Sequence, residues 1–304
     1  MDPITRDFYE ERRRKWRRSA FIRGFVLALL LVAIGWGIYA FPREPHRGVH
    51  IARIHIMDVI YAAPWRERMI RDIAEDEDVV ALIVHIDSPG GTVVGSEGIY
   101  DGLREVGADK PVVAVLSGVA ASGGYLAALG ADHVIARGNT ITGSIGVIFE
   151  YLIFSDLLDR LGVGVETIRS SQLKAEASPL RDLSPEGRAA EEAVVQETYD
   201  WFRALVGERR RLDGAALDRV ADGRTFTGRM ALDLGLIDAL GDEQTALDYL
   251  ESLDSALADL SVETWEFEEA PGIIEGILGR IGINTGGLPH SGLPRGPRLM
   301  SILK

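Results

Sequence analysis

The stretch V-V-A-L-I-V-H-I-D-S-P-G-G, Val79 to Gly91, begins as an apolar run and ends in a turn. A short run rich in β-branched side chains, stopped by Ser-Pro-Gly-Gly, reads as a buried strand. Working outward, Ile51–Met57, Pro111–Leu116 and His133–Ala136 read as strands too, and Trp65–Glu75 and Gly95–Val106 between them have helical periodicity. Strand, helix and strand in repetition imply parallel pairing, so an α/β sheet covered by helices is predicted. Ligands on such sheets bind beyond the carboxyl ends of the strands. Two segments fall there: Asp87–Gly91 and S-G-V-A-A-S-G-G-Y, Ser117 to Tyr125.

Composition limits the chemistry available at those ends. The 304 residues are 46% apolar, ample for a packed core, and contain no cysteine, so disulfides, thiolate nucleophiles and cysteine-ligated zinc are excluded. His46, His50, His55, His85, His133 and His290 include no pair at H-E-x-x-H spacing, so no metal cage is expected. Charge is uneven. Eight Lys or Arg against four acids give residues 1–23 a net +4, so of the chain's −13 the remainder carries −17. That acidic remainder has no basic stripe for phosphates, which argues against nucleic acid as a partner.

Directly after the basic segment, Gly24–Phe41 reads GFVLALLLVAIGWGIYAF, an uncharged run of 18 residues. As a helix it covers about the ~30 Å of a bilayer core, and it is longer than the apolar part of a cleaved signal peptide. It is therefore read as a transmembrane anchor, with the lipid bilayer as a partner and Trp36 and Tyr39 near its outer end. The positive flank keeps the N-terminus cytoplasmic and puts the remainder on the periplasmic or extracellular side. The expected organisation is a basic cytoplasmic segment over 1–23, an anchor over 24–41, a linker over 42–50, a catalytic domain over 51–270 and a flexible Gly/Pro-rich tail over 271–304.

Ser122 sits among residues too small to bury its hydroxyl, and Lys174 follows in S-S-Q-L-K-A-E-A-S-P-L-R. A serine needs a base to take its proton, and a desolvated lysine can serve without histidine. The glycines of Asp87–Gly91 permit positive φ and close approach of a substrate carbonyl. An N–H from Gly90 or Gly91, with that of Gly123, would make a two-donor oxyanion hole; taken alone, the turn reads as a tight βα connection. A Ser-His-Asp triad through His85 and Asp87 or His133 and Asp132 is the rival arrangement, though both histidines lie in strand patterns. Ser88, Ser96 and Ser117 read as turn or capping residues, and Ser144 in T-G-S-I-G-V can be read as a turn serine.

D-S-P-G-G (Asp87–Gly91), A-A-S-G-G-Y (Ala120–Tyr125), T-G-S-I-G-V (Thr142–Val147), L-K-A with S-P (Leu173–Pro179) and A-L-D-L-G-L-I-D (Ala231–Asp238), in that order, resemble the short form of bacterial signal peptide peptidase A. The resemblance spans roughly Ile51–Leu253 and implies a ClpP/crotonase-like α/β fold behind an N-terminal transmembrane helix. It implies Ser122 as nucleophile, Lys174 as general base, Ser144 as the residue orienting the lysine amine, and Gly90, Gly91 and Gly123 as oxyanion donors. It also implies a homo-oligomeric ring and no cofactor. The chain departs from the family at Tyr125-Leu126, where two aromatics are usual, and at S-S-Q-L-K, where G-x-Y-K is usual.

For such an enzyme the substrates are apolar peptides such as signal-peptide remnants, and Val93, Val119 and Ile145 are the expected apolar lining of the cleft. A lysine is protonated in neutral water, so Lys174 must be desolvated to act. Further on, Ser184–Leu212 is a long helical pattern opened by Ser-Pro-Glu, and Gly272–Ile283 can form a short amphipathic helix. Two other functions stay open on the same kind of fold: a crotonase-like acyl-CoA enzyme or binder, and a catalytically silent membrane scaffold.

Overall fold

The computed structural model describes residues 48–266, the strand residues 300–302 and the helical positions Phe25, Leu27 and Leu29. The chain divides at Gly48/Val49. The remainder of the apolar run Gly24–Phe41, the basic segment before it and the expected helix Gly272–Ile283 lie outside the described residues, among which no helix is long and apolar enough to cross a membrane.

Four strands form the centre: β1 (His50–Met57), β2 (Val79–Ser88), β4 (Val112–Ala121) and β5 (His133–Ala136), with a short β3 (Gly90–Thr92) beyond the end of β2. β1, β2, β4 and β5 pair in parallel in that order, with Ile54, Val84 and Ala114 side by side across three of them. Strand periodicity sends alternate residues to opposite faces. Ala52, Ile54, Ile56, Leu82, Val84, Ile86, Ala114 and Leu116 enter one core with helices α1 (Pro64–Glu75), α2 (Val93–Val106) and α3 (Gly123–Ala128). Ile51, Ala81, Ile83, Val113 and Val115 enter a second core, with Ala246 and Leu250 of a late helix, Glu243–Leu253. Burial on both faces is why Val79–Ile86 reads as a continuous apolar run and not an alternating one.

The sheet divides along β4. Val113–Leu116 pair with β5, whereas Val119–Ala121 pair with β6 (Ile141–Gly143), and β2 slips register between Ile86 and Ser88 at the same level. β6 in turn carries an antiparallel β7 (Thr225–Thr227), β5 carries β8 (Ala239–Leu240), and β1 carries β9 (Val262–Thr264) at the other edge. The exchange of neighbours lets β4 continue past β5 and deliver Ser122 to the start of α3.

The long helical pattern is α5 (Pro185–Arg210), which follows a short α4 (Ser155–Arg160). Ser184 caps α5 by accepting the Gly187 N–H at 3.0 Å. α2 begins at Val93, two residues before the sequence pattern suggests, because the Thr92 hydroxyl accepts the Gly95 N–H and caps it there. Of the tail expected to be flexible, the described residues are β10 (Met300–Ile302), which pairs antiparallel with β3, Ser301 opposite Gly91.

Candidate active site

Ser122 stands between the end of β4 and the first residue of α3, with φ 56° and ψ −118°. A side chain there is strained by about 1–3 kcal/mol and persists only where its surroundings over-determine it. They do so here: its N–H donates to Gly143 O at 2.7 Å, and its C=O accepts from Leu126 N–H at 2.9 Å, already as the first bond of α3. The next residue after Gly143 is Ser144, also at positive φ (53°), whose N–H donates to Arg224 O at 2.8 Å. β6 thus sets Ser144 beside Ser122. Both serines are buried and line a cavity of about 740 Å³ with Ile145, Val195 and Tyr199.

One wall of that cavity holds Asp222 and Arg224. The Arg224 Nε donates to Asp222 at 2.7 Å, and this hydrogen bond holds the Asp222 carboxyl below its usual range. The wall is therefore not purely apolar, as the sequence suggests, but its two charges are satisfied by each other. Of the three expected lining residues, Ile145 is in the cavity. Val93 lines a separate cavity with Trp201 and Glu97, and Val119 is half-buried, its N–H donating to Asp87 Oδ1 at 2.9 Å.

No histidine is among the residues lining the serine cavity. His85 Nε2 instead lies 2.6 Å from Glu243, and Asp87 is engaged by Val119; His133 faces Asp238, while Asp132 accepts from Arg104 and from Val112 N–H. The triad alternative thus lacks its geometry. Ser88 Oγ accepts the Gly90 N–H at 3.1 Å and the Ser96 hydroxyl donates to Thr92 O at 3.2 Å, the turn and helix roles their positions suggest.

The glycine turn narrows the choice of oxyanion donor. Gly90 (φ 105°) gives its N–H to Ser88, while its C=O and the Thr92 N–H both bond to Ile60. Backbone groups alternate along an extended chain, so the N–H of Gly91 points the other way, to the edge that β10 covers. A Cβ at Gly91 would lie 1.9 Å from Ile60 O, so only glycine brings β3 this close. Gly123, as the first residue of α3, has an N–H with no partner inside the helix.

Lys174 is not brought into the cavity. It is exposed, on a segment between α4 and α5 with no regular structure. Sequence reasoning missed its near neighbour Glu176, the buried carboxylate of that segment, and missed β10, although the apolar run L-M-S-I-L after a Gly/Pro-rich stretch carries a strand signal.

A model of peptidase family S49 matches residues 104–257, about half the chain, and one of Clp protease matches residues 67–140. This chain belongs to peptidase family S49. A protein of Synechocystis provisionally named a protease is 39% identical over 67% of this chain and 74% of its own length. An Enterococcus faecium protein provisionally named signal peptide peptidase SppA is 36% identical over 64% of this chain and 56% of itself. Protease 4 of Haemophilus influenzae is 32% identical over 69% of this chain, which spans 35% of that longer protein. The Clp protease match agrees with the parallel α/β architecture. As an S49 member the chain is a peptidase, which sets aside the acyl-CoA and silent-scaffold readings.

Proposed function

We propose that this S49 peptidase is a membrane-anchored serine endopeptidase that hydrolyses apolar segments, signal-peptide remnants among them. The observation that carries the reading is the strained, buried Ser122, fixed beside Ser144 in a cavity without histidine. Neutral Lys174 takes the Ser122 proton, oriented by Ser144, and the alkoxide attacks the peptide carbonyl. The N–H groups of Gly91 and Gly123 stabilise the oxyanion; the acyl-enzyme forms as the amine leaves, and water then hydrolyses the ester.

Lys174 is exposed in one copy of the chain and has to be buried to lose its proton. A second copy supplies that burial in this reading, which is the role of the oligomer. Its support is the apolar face exposed along the same segment and the loop before it: Leu152, Leu157, Leu161 and Ile168, the last 94% exposed. The anchor is Gly24–Phe41, with the catalytic domain on the far side of the membrane; protease digestion of right-side-out vesicles that spares this domain would refute the topology.

A serine-directed phosphonofluoridate should label Ser122 and no other residue. Ser122→Ala and Lys174→Ala should each lower kcat by about 10⁴-fold or more with the circular dichroism spectrum unchanged. Mixing the two inactive variants should restore part of the activity, since a neighbour then completes some sites. Full activity in either variant contradicts the dyad, and no recovery on mixing contradicts its formation between copies.

A further inference from the structure

The segment that carries Lys174 has little packing of its own. Leu173, Lys174 and Ala175 are exposed, and Ala175 is held at φ 54°, a left-handed conformation unusual for alanine. Something other than an apolar core must keep this backbone in shape. The only carboxylate of the stretch that is buried is Glu176, 8% exposed, and charged groups are buried only when paired.

Its partners form a clamp around the lysine. Arg169 pairs with Glu176 Oε2, and Arg181 lies 3.6 Å from the same oxygen. Ser184, the cap of α5, donates its N–H to Oε1 at 3.4 Å. Both guanidinium groups also reach main-chain carbonyls: Arg169 donates to Gln172 O at 2.6 Å, and Arg181 donates to Ala175 O and, at 3.4 Å, to Glu176 O. Carbonyls on either side of Lys174 are thereby tied, through two cations, to one carboxylate. The Ser184 side chain and Arg169 hold that carboxyl at about 2, so it is charged at neutral pH. Gly187 makes room for it. A Cβ there would meet Glu176 Cγ at 2.2 Å, so α5 opens with a glycine at the point where the carboxylate arm crosses it.

We propose that Glu176 is a positioning residue for Lys174: its carboxylate, through Arg169 and Arg181, sets the backbone that presents the lysine amine to the serine. The inference rests on the Ser122–Lys174 reading above. A lysine delivered to a neighbouring copy has to leave its own segment in a fixed direction, and the clamp supplies that direction where packing does not. A displacement of about 1 Å at a reacting group can cost about 10²-fold in rate.

Glu176→Gln in the full chain keeps the shape and removes the charge. It should lower kcat 10- to 100-fold and leave KM within about twofold, an orientation loss and not a binding loss. The decisive measurement is a double-mutant cycle. In a Lys174→Ala background the same Glu176→Gln change should cost nothing further, because the group it positions is gone. A loss of equal size in both backgrounds would mean that Glu176 only holds the fold, and would overturn the proposal. Wild-type kcat in Glu176→Gln would overturn it as well, while an inactive Lys174→Ala leaves the dyad standing. If Lys174→Ala is fully active, the dyad and the positioning role fall together. Should Glu176→Gln fail to fold, Gly187→Ala pushes on the Glu176 arm with all charges kept, and the same cycle with that variant gives the same decision.

Discussion

At Gly91 the missing side chain is a structural requirement, because Ile60 O occupies the place of a Cβ. Gly91→Ala has to push β3 away from Ile60, and overpacking of this kind costs about 1–3 kcal/mol, with main chain as the obstacle setting it at the upper end. In a domain of this size that is about 6–12 °C in Tm. Because the displaced group is the N–H assigned to the oxyanion, kcat should fall as well, whereas a stabilising change elsewhere that restores Tm should leave kcat low. Recovery of both together would show that Gly91 matters only for folding. Ser122 and the Asp87–Gly91 turn stand out in the sequence because each sits at the punctuated end of an apolar run, whereas Ser144 follows a polar stretch and is pointed to by the family motif alone. Glu176 is not legible there, since nothing in A-E-A-S distinguishes a buried carboxylate from a solvated one until Arg169, Arg181 and Ser184 are seen to converge on it.

Among elements, the long strands are the easily read ones, for a physical reason. β2 and β4 are covered on both faces and therefore carry uninterrupted apolar runs, while β6, β7 and β10 have three residues each and take their extended form from a neighbour. β5, by contrast, is joined to the helices by polar and ring contacts. Arg210 of α5 grips Asp238 through two bonds of 2.9 Å, Asp238 accepts the Val134 N–H of β5, and His133 stacks on Tyr249 with ring centroids 3.9 Å apart. Burial lowers the His133 and His55 imidazoles below the usual histidine range. Burial alone would raise the Asp238 carboxyl, but the Arg210 bonds outweigh it and hold it low. Groups with depressed folded values bind more protons when unfolded, so their stabilisation is complete above the unfolded values and is lost as pH falls through the folded ones. Tm should therefore decline in two stages, first below about pH 6.5 as the histidines charge and again below about pH 3.9 as Asp238 protonates. His133→Gln should flatten the first stage; an unchanged decline between pH 6.5 and 5 would contradict the assignment.

On the scale of the whole molecule, β10 comes back to the strand that carries Gly91. β10 lies on the edge of β3 from which the Gly91 N–H points, so in the proposed reading it occupies the place where a substrate carbonyl approaches that N–H, and substrate has to displace it to bind. Ending the chain at Gly296 removes β10. A tethered segment acts at an effective concentration of about 1 mM, so if the free segment binds at about 0.1 mM its removal should lower KM for peptides about tenfold. kcat should not change, and an unchanged KM would mean that substrates do not use this edge. The pairing of β10 with β3 also bears on how the protein is handled at the bench. Lys304 follows Ile302 by two residues, so an affinity tag or reporter joined directly after Lys304 is tied to the strand covering Gly91 and is not a remote handle. Preparations tagged there and preparations tagged far from β10 are, for kinetic purposes, different reagents.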